Sequence, residues 1–177
     1  LGEIKSSFYY KRIHEPGFGG GSSLRKSLKI NKDLEIINNN LIKKLAIHGI
    51  SMIEFRNCKK TNLNYLMEIN LRMWGSISLP IYCGVNFPKL LLYQCINKDY
   101  NHLLNTYKVE NYSRNLLKDI KWILKRSIYL IKNKNFIVFV KFIYNELLLF
   151  INNHRNSKET FDIFSLNDLK PFINQLI

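Results

Sequence analysis

Two carboxylates, an amide and an arginine fall on one face of a predicted β-hairpin. The second strand carries Glu68, Asn70 and Arg72, and period-two alternation places these three side chains on the same face. Glu54 lies on the first strand, and a polar connection centred near Thr61 puts it directly opposite Glu68. The spacing therefore predicts a cluster of oxygen ligands and one guanidinium on a single surface.

This cluster has the composition of a magnesium and phosphate site. Like charges that face each other across a sheet are destabilising, so a cation is expected between Glu54 and Glu68. Mg²⁺ prefers oxygen ligands, which these carboxylates and Asn70 supply, and the fork of Arg72 suits phosphate oxygens. The alternative is an ordinary amphipathic hairpin whose acidic and basic face is solvated.

The strands that must position these residues are predicted at Ile53–Arg56 and Leu66–Ser76. Alternation puts Leu66 on the face of Glu68 and Met67 on the opposite face. The surrounding pattern predicts an α+β fold, with helices packed on one side of an antiparallel sheet. Its remaining predicted elements are strands Glu3–Arg12 and Ser27–Ile30, helix Asp33–His48 with Gly49 as its stop signal, and a helix from Pro88 to about Asn97.

A glycine loop, Pro16–Ser23, lies between the first two predicted strands. Its consecutive glycines allow close approach of a ligand to the backbone and offer N–H groups to an oxyanion. The loop has neither the GxxxxGK[ST] pattern nor GxGxxG after a strand. As a bare motif it is therefore read either as a flexible turn or as a phosphate cradle.

Residues Tyr112–Asn153 are predicted to be helical, with apolar residues at helical spacing and many lysines on the other side. Such a basic amphipathic helix either lies on an anionic membrane or packs on its own protein with a solvated basic face. The run Phe136–Ile151 is shorter than the roughly 20 apolar residues of a spanning helix and is charged in the middle, so a span is rejected. Internal burial of this run is the favoured expectation.

Composition excludes several classes of function. The 177-residue chain carries 27 Lys and Arg against 13 Asp and Glu, a formal net charge of +14. No helix-turn-helix, aromatic RNA-binding motif or zinc-finger spacing accompanies this charge, so specific nucleic-acid binding is not favoured. Cys58, Cys83 and Cys95 show no CxxC spacing, which argues for reduced thiols over disulfides or zinc.

Several motifs, taken together and in order, resemble the ATP-grasp carboxylate-amine ligases. Met67–Ser76 is similar to their "EINPR(F/M)WGS" signature, and Ile53–Phe55 to the upstream "VEF" strand. Cys83–Leu91 resembles the "AGVDFPxLL" segment, Glu15–Ser23 the "P..GGGS" loop, and Phe161–Phe172 the usual ending. The nearest branch is that of carbamoyl phosphate synthetase-like and D-aspartate ligase-like proteins.

The resemblance implies a role for each matching residue. It implies that Glu54, Glu68 and Asn70 bind Mg²⁺, with Mn²⁺ as an alternative, and that Arg72 stabilises the transferring phosphoryl group. The remaining implied roles are contact of Arg12 with phosphate or substrate carboxylate, and contact of Met67, Gly20, Gly21 and Ser22 with ATP. Met67 is alternatively an ordinary core residue. Leu71 stands where the family usually has proline, which changes backbone stiffness and leaves the ligand chemistry intact.

The implied reaction is ATP-dependent joining of a small carboxylate to an amine, or to a thiol, through an acyl phosphate. The resemblance also implies an upstream lobe that holds the other side of ATP, so the chain is expected to be inactive alone. Composition agrees with an intracellular protein, and a cytoplasmic location is expected. Residues 1–106 are predicted to form the C-terminal lobe of the ATP-grasp domain, and residues 107–177 a helical extension. The competing interpretation is a non-catalytic basic helical module that attaches to an anionic membrane or a protein partner.

Overall fold

A computed structural model of the chain describes residues 3–17, 21–104 and 106–175. These residues form two sheets, one of four strands in the order β1-β2-β5-β6 and one formed by β3 and β4. The strands are β1 (Tyr9–His14), β2 (Leu24–Leu28), β3 (Met52–Asn57), β4 (Asn64–Asn70), β5 (Tyr112–Arg114) and β6 (Glu159–Phe161). The helices are α1 (Lys32–Lys44), α2 (Ser78–Cys83), α3 (Phe87–Cys95), α4 (Leu116–Lys132), α5 (Phe136–Arg155) and α6 (Lys170–Asn174). The α+β fold class is confirmed.

The chain divides into two compact units. The first consists of Leu1–Tyr9 and Lys29–Tyr107, and the second of Tyr10–Leu28 and Lys108–Ile177. The break after Tyr107 coincides with the predicted change of organisation. The segment Tyr10–Leu28 belongs to the C-terminal unit because β2 pairs with β5. Compact units need not coincide with functional lobes, so the division into a grasp lobe and an extension stays a prediction.

Strand β2 lies between β1 and β5 in the four-stranded sheet, and three of its five residues are buried. It runs antiparallel to β5, which in turn runs parallel to β6. The side chains of Ser23, Arg25 and Ser27 alternate along this segment and all are buried, as is Leu24 on the opposite face. Both faces of β2 are therefore covered, and one of them is polar.

Helix α1 begins one residue before its predicted start and ends four residues before its predicted end. Asn31 caps it, because the Asn31 side chain accepts a hydrogen bond from the backbone N–H of Leu34 at 3.0 Å. Ala46, just beyond the last turn, has φ 48° and ends the helix before Gly49 is reached. The predicted extension to His48 was wrong, because a non-glycine residue adopts the left-handed conformation that stops the helix.

Three strand predictions need correction. The strand predicted over Glu3–Arg12 is limited to β1, and the strand predicted over Ser27–Ile30 begins three residues earlier, as β2. The strand predicted over Leu66–Ser76 ends at Asn70. Trp74 is buried, and this burial takes the chain out of the extended course that the alternating pattern suggested.

The region Tyr112–Asn153 contains strand β5 and two helices. A break at Asn133–Asn135 separates α4 from α5, and Lys134 within it has φ 54°. The prediction that Phe136–Ile151 is buried internally was wrong. The apolar residues of α5 are mostly exposed, and the exposed fraction of Ile137 is 84%. Among the described helices, α5 has the length and composition of a membrane-crossing segment.

Candidate functional site

The predicted pairing of the two acidic residues is present in the structure. Strands β3 and β4 are antiparallel, with Glu54 opposite Glu68 and Met52 opposite Asn70. Residues that face each other in an antiparallel pair project to the same side of the sheet, so both carboxylates share one face. Asn70 lies two residues along that face, and its Nδ2 donates a hydrogen bond to Glu68 Oε1 at 2.7 Å.

A β-bulge interrupts the alternation next to this pair. The register shifts between Glu54 and Phe55, so that Phe55 pairs with Leu66 and Met67 is the extra residue of β4. Strict alternation predicted that Leu66 shares the face of Glu68. This prediction was wrong, because the bulge moves Leu66 to the opposite face. Met67 is 52% exposed, which excludes the core role considered for it and leaves contact with adenine as a prediction.

The ligand set suits a hard divalent cation. Glu68 is exposed, and Glu54 and Asn70 are half-buried, so all three side chains border solvent. Two carboxylates and a carboxamide oxygen are the donors that Mg²⁺ prefers, and water or phosphate oxygens complete such sites. Within the described part of the chain, no group of three or more His, Cys, Asp or Glu is arranged for a metal. The protein ligands that this hairpin offers a metal are therefore two carboxylates and the amide oxygen of Asn70.

Arg72 lies beyond the end of β4, so the alternation that placed it on the acidic face does not extend to it. Its side chain is exposed, and Nη1 donates a hydrogen bond to the carbonyl oxygen of Met73 at 3.1 Å. A long exposed side chain with this single neighbouring contact is free to adopt other rotamers. Its role toward phosphate stays a prediction.

The tryptophan of the predicted signature packs against the segment that follows it. The rings of Trp74 and Phe87 are 5.5 Å apart, centroid to centroid. Gly84 ends α2 with φ 110°, a conformation that residues with a side chain rarely adopt. Asn86 then caps α3 by accepting a hydrogen bond from the backbone N–H of Lys89 at 3.0 Å. The two motifs are thus joined by a direct ring contact between Trp74 and Phe87.

The glycine loop belongs to the second unit, whereas the hairpin belongs to the first. Gly20 lies outside the described residues. Gly21 has φ 75°, which glycine adopts without strain. The hydroxyl of Ser22 is within hydrogen-bond distance of the carbonyl oxygens of His14 (3.0 Å) and Leu24 (2.7 Å). This hydroxyl therefore contacts the protein backbone, and contact of the glycine loop with ATP stays a prediction.

Arg12, the other predicted catalytic residue, lies on β1 near the glycine loop. Its Nη1 is 4.0 Å from Glu15 Oε1, at the outer limit of an ion pair. The side chain is 25% exposed. Contact of Arg12 with phosphate or a substrate carboxylate stays a prediction.

A buried network of charged residues follows the glycine loop, and the sequence analysis missed it. Asp119 is 1% exposed and accepts hydrogen bonds from His14 Nδ1 at 2.9 Å, from the Ser23 hydroxyl at 2.7 Å, and from Arg114. A second ion pair joins the buried Arg25 to Asp162. The available signal was weak: Ser23, Arg25 and Ser27 share one face of this segment, but Lys26 on the other face breaks any polar and apolar alternation.

The network shifts the pKa values of its members. Burial alone would lower the pKa of His14, but its hydrogen bonds to Asp119 and Glu146 and their negative charges outweigh burial and raise it. Burial would raise the pKa of Asp119, whereas hydrogen bonds from His14 and Ser23 and the charge of Arg114 lower it. These shifts favour the cationic form of His14 and the anionic form of Asp119, and both residues hold the end of the glycine loop through Ser23.

The chain was compared with protein families, curated proteins and solved structures. The family described as "ATP-grasp in the biosynthetic pathway with Ter operon" matches residues 15–114, more than half of the chain. This chain is an ATP-grasp protein. No curated protein and no solved structure matches it at a significant level.

The matched ATP-grasp region contains the acidic hairpin, Arg72 and the glycine loop. Membership therefore indicates an ATP-dependent, ligase-type function for the region in which these residues lie. Arg12 precedes the matched residues, and the ending Phe161–Phe172 follows them. The likeness to the carbamoyl phosphate synthetase-like and D-aspartate ligase-like branch rests on the motifs alone.

Proposed function

We propose that this ATP-grasp protein takes part in Mg²⁺-dependent ligation of a carboxylate to an amine through an acyl phosphate. The observation that carries the proposal is the hairpin geometry, in which Glu54 faces Glu68 and Asn70 is hydrogen-bonded to Glu68 inside the matched region. An ordinary solvated hairpin has no need to oppose two carboxylates, which repel each other. A cation-binding role accounts for that arrangement.

In the proposed reaction an oxygen of the substrate carboxylate attacks the γ-phosphorus of ATP, and the bond to the β-phosphate oxygen breaks to release ADP. The amine then attacks the acyl carbon, phosphate leaves, and the nitrogen loses a proton to give the amide. A thiol acceptor would give a thioester by the same two steps. Such phosphoryl transfer depends on positioning and charge neutralisation more than on covalent participation of the protein.

Glu54, Glu68 and Asn70 would hold Mg²⁺, which neutralises charge on the phosphate oxygens when it is bound. Mn²⁺ has the same ligand preference and would substitute for it. Arg72 is proposed to stabilise the transferring phosphoryl group, and Arg12 to orient the substrate carboxylate or a phosphate. An upstream lobe of the same protein is proposed to hold the other side of ATP. A cytoplasmic location is also proposed, because ATP is supplied there.

The glycine loop is proposed to line the phosphates through its backbone. Gly21 adopts a left-handed conformation, and such a conformation allows successive backbone N–H groups to point at one anion. Ser23 is fixed by bonds to Asp119 and to the backbone of His14, so the end of the loop is rigid. A rigid end lowers the entropy that the loop loses when it binds phosphate.

Metal binding tests the proposal directly. Mn²⁺ is titrated into the full chain and followed by electron paramagnetic resonance, with and without ADP. We expect Glu68→Gln to weaken Mn²⁺ binding by more than about tenfold, since affinity for such ions follows ligand charge. Glu35→Gln, which removes a carboxylate from α1 in the same unit, is the matched control and is expected to leave binding unchanged.

Two results would contradict the proposal. One is equal Mn²⁺ affinity for the parent chain and for both Glu54→Gln and Glu68→Gln. The other is normal ATP turnover by Glu68→Gln in the protein joined to its upstream lobe. Circular dichroism of each variant shows whether a loss of binding reflects unfolding.

A further inference from the structure

Helices α4 and α5 present a large apolar surface to solvent. On α4 the exposed apolar residues recur at spacings of three and four, so they form one stripe. On α5 the same spacing continues over four turns. We call this surface the α4–α5 apolar face, which consists of Ile120, Leu124, Ile128 and Ile131 of α4 and Ile137, Val140, Tyr144, Leu147, Leu148 and Ile151 of α5.

The two stripes form a single continuous face. Ile120 of α4 and Leu147 of α5 line the same cavity of about 180 Å³, whose other walls include Ile123, Ile143 and Phe150. Both Ile120 and Leu147 are also exposed, so the stripes meet at the mouth of this cavity. A contiguous apolar surface of this kind marks an interaction site in most proteins.

The opposite sides of both helices are bound to the polar core of the second unit. Asp119 of α4 bonds to His14, and Glu146 of α5 lies 3.4 Å from the other ring nitrogen of that histidine. Further along α5, Asn153 Nδ2 donates to Glu159 Oε2 at 2.9 Å. These contacts fix the rotation of each helix, so that its apolar side faces away from the core. They also argue against a membrane-spanning α5, which would have to leave its polar partners.

A basic border accompanies the apolar face. The helical spacing places four exposed lysines of α4 on one side of the helix, next to the apolar stripe: Lys118, Lys121, Lys125 and Lys132. Asp119 is the one acidic residue of α4, and it is buried in ion pairs. The exposed charges of α4 are therefore all positive, in a chain whose formal net charge is +14.

We propose that the α4–α5 apolar face binds an anionic membrane surface, with both helices lying in the plane of the interface. Apolar side chains then enter the boundary between headgroups and acyl chains, and the lysine border contacts anionic headgroups. A second copy of the chain fits less well. Symmetric dimers join the same patch of both subunits, which would bring two lysine borders together.

The test uses the full chain and two kinds of vesicle, phosphatidylcholine alone and equal parts of phosphatidylcholine and phosphatidylglycerol. Co-sedimentation is expected with the anionic vesicles only. Raising the salt from about 0.1 M to about 1 M shortens the screening length from about 10 Å to about 3 Å and is expected to release most of the bound protein. Binding that survives alkaline carbonate extraction would indicate a spanning helix and would overturn the proposal.

Variants assign the binding to this face. Lys121→Gln/Lys125→Gln is expected to lower vesicle affinity by about fivefold for each lysine, about 25-fold in total. Its control, Lys43→Gln/Lys44→Gln, removes the same charge from the end of α1 and is expected to bind like the parent chain.

The apolar pair Ile137→Ser/Ile151→Ser is expected to lose more than about tenfold in vesicle affinity, because each substitution removes apolar area that the interface would bury. Its control, Ile36→Ser/Leu92→Ser, changes exposed apolar residues of the first unit. Three results would overturn the proposal: no binding to anionic vesicles, variants equal to their controls, or a dimer that the Ile137→Ser/Ile151→Ser change dissociates.

Discussion

Asp119 is the residue whose replacement should most weaken the second unit. It is 1% exposed and faces His14 and Arg114, so Asp119→Asn removes the carboxylate that they share and leaves each with one carboxylate partner, Glu146 for His14 and Glu159 for Arg114. The new amide nitrogen would also face groups that donate hydrogen bonds. Removing one partner from a buried ion pair costs about 3–5 kcal/mol of the free energy of unfolding, a large share of the roughly 5–15 kcal/mol of a typical domain.

Urea unfolding followed by tryptophan fluorescence measures this loss in the correct unit. Trp122 stacks on His14 with ring centroids 3.8 Å apart, so its emission reports the network directly. Trp74 lies in the first unit, and a Trp74→Phe background leaves Trp122 as the only tryptophan. With an m-value of about 2 kcal/mol/M, the expected loss lowers the urea midpoint by about 1.5–2.5 M.

The control is Asp168→Asn, an identical chemical change at an exposed position of the same unit. Its effect should stay within about 0.5 kcal/mol, as for most surface substitutions. A midpoint shift below about 0.5 M for Asp119→Asn would refute the view that the network holds this unit together. A similar shift in both variants would show that the measurement reports a general effect of lost negative charge.

Two further predictions concern pH and a glycine. Because the pKa of His14 is raised in the folded state, its contribution to stability is complete below about pH 6.5 and is lost as pH rises through the folded-state pKa. Because the pKa of Asp119 is lowered, its contribution is complete above about pH 3.9 and is lost as pH falls through the folded-state pKa. Urea midpoints should therefore be highest between about pH 4 and 6.5, and His14→Asn should remove the alkaline decline; a pH-independent midpoint would contradict this. A Cβ at Gly84 or at Gly75 meets nothing within 4 Å, but only Gly84 has a positive φ, of 110°. Gly84→Ala should therefore destabilise the first unit by about 1–2 kcal/mol in thermal unfolding, and Gly75→Ala should cost less.

The acidic pairing was predicted correctly, but alternation and the turn alone do not produce it. The turn pairs Asn57 with Asn64, and this register without a bulge would put Glu54 opposite Met67. The extra residue, Met67, brings Glu68 opposite Glu54 instead. The bulge was not predictable, because strict alternation carries no signal for an extra residue.

The length of α1 shows the limit of periodicity. Its start was predicted to within one residue, and the structure shows the cap there, Asn31, which accepts a hydrogen bond from the N–H of Leu34 three residues away. Its end was not visible, because apolar spacing continued past Lys44 while the backbone turned at Ala46. Start signals are chemical and local, whereas this stop depends on a backbone conformation that most residue types rarely adopt.

The sequence by itself determined the two strands of the hairpin and membership of the ATP-grasp proteins, because each follows from residues close together in the chain. Only the tertiary structure decided that Asp119 meets His14, 105 residues away in sequence, and that α5 is held through Glu146 and Asn153 and leaves one apolar side exposed. The apolar composition of a helix predicts how much of its surface would gain from burial. Which surface is covered depends on partners that the chain brings together only on folding.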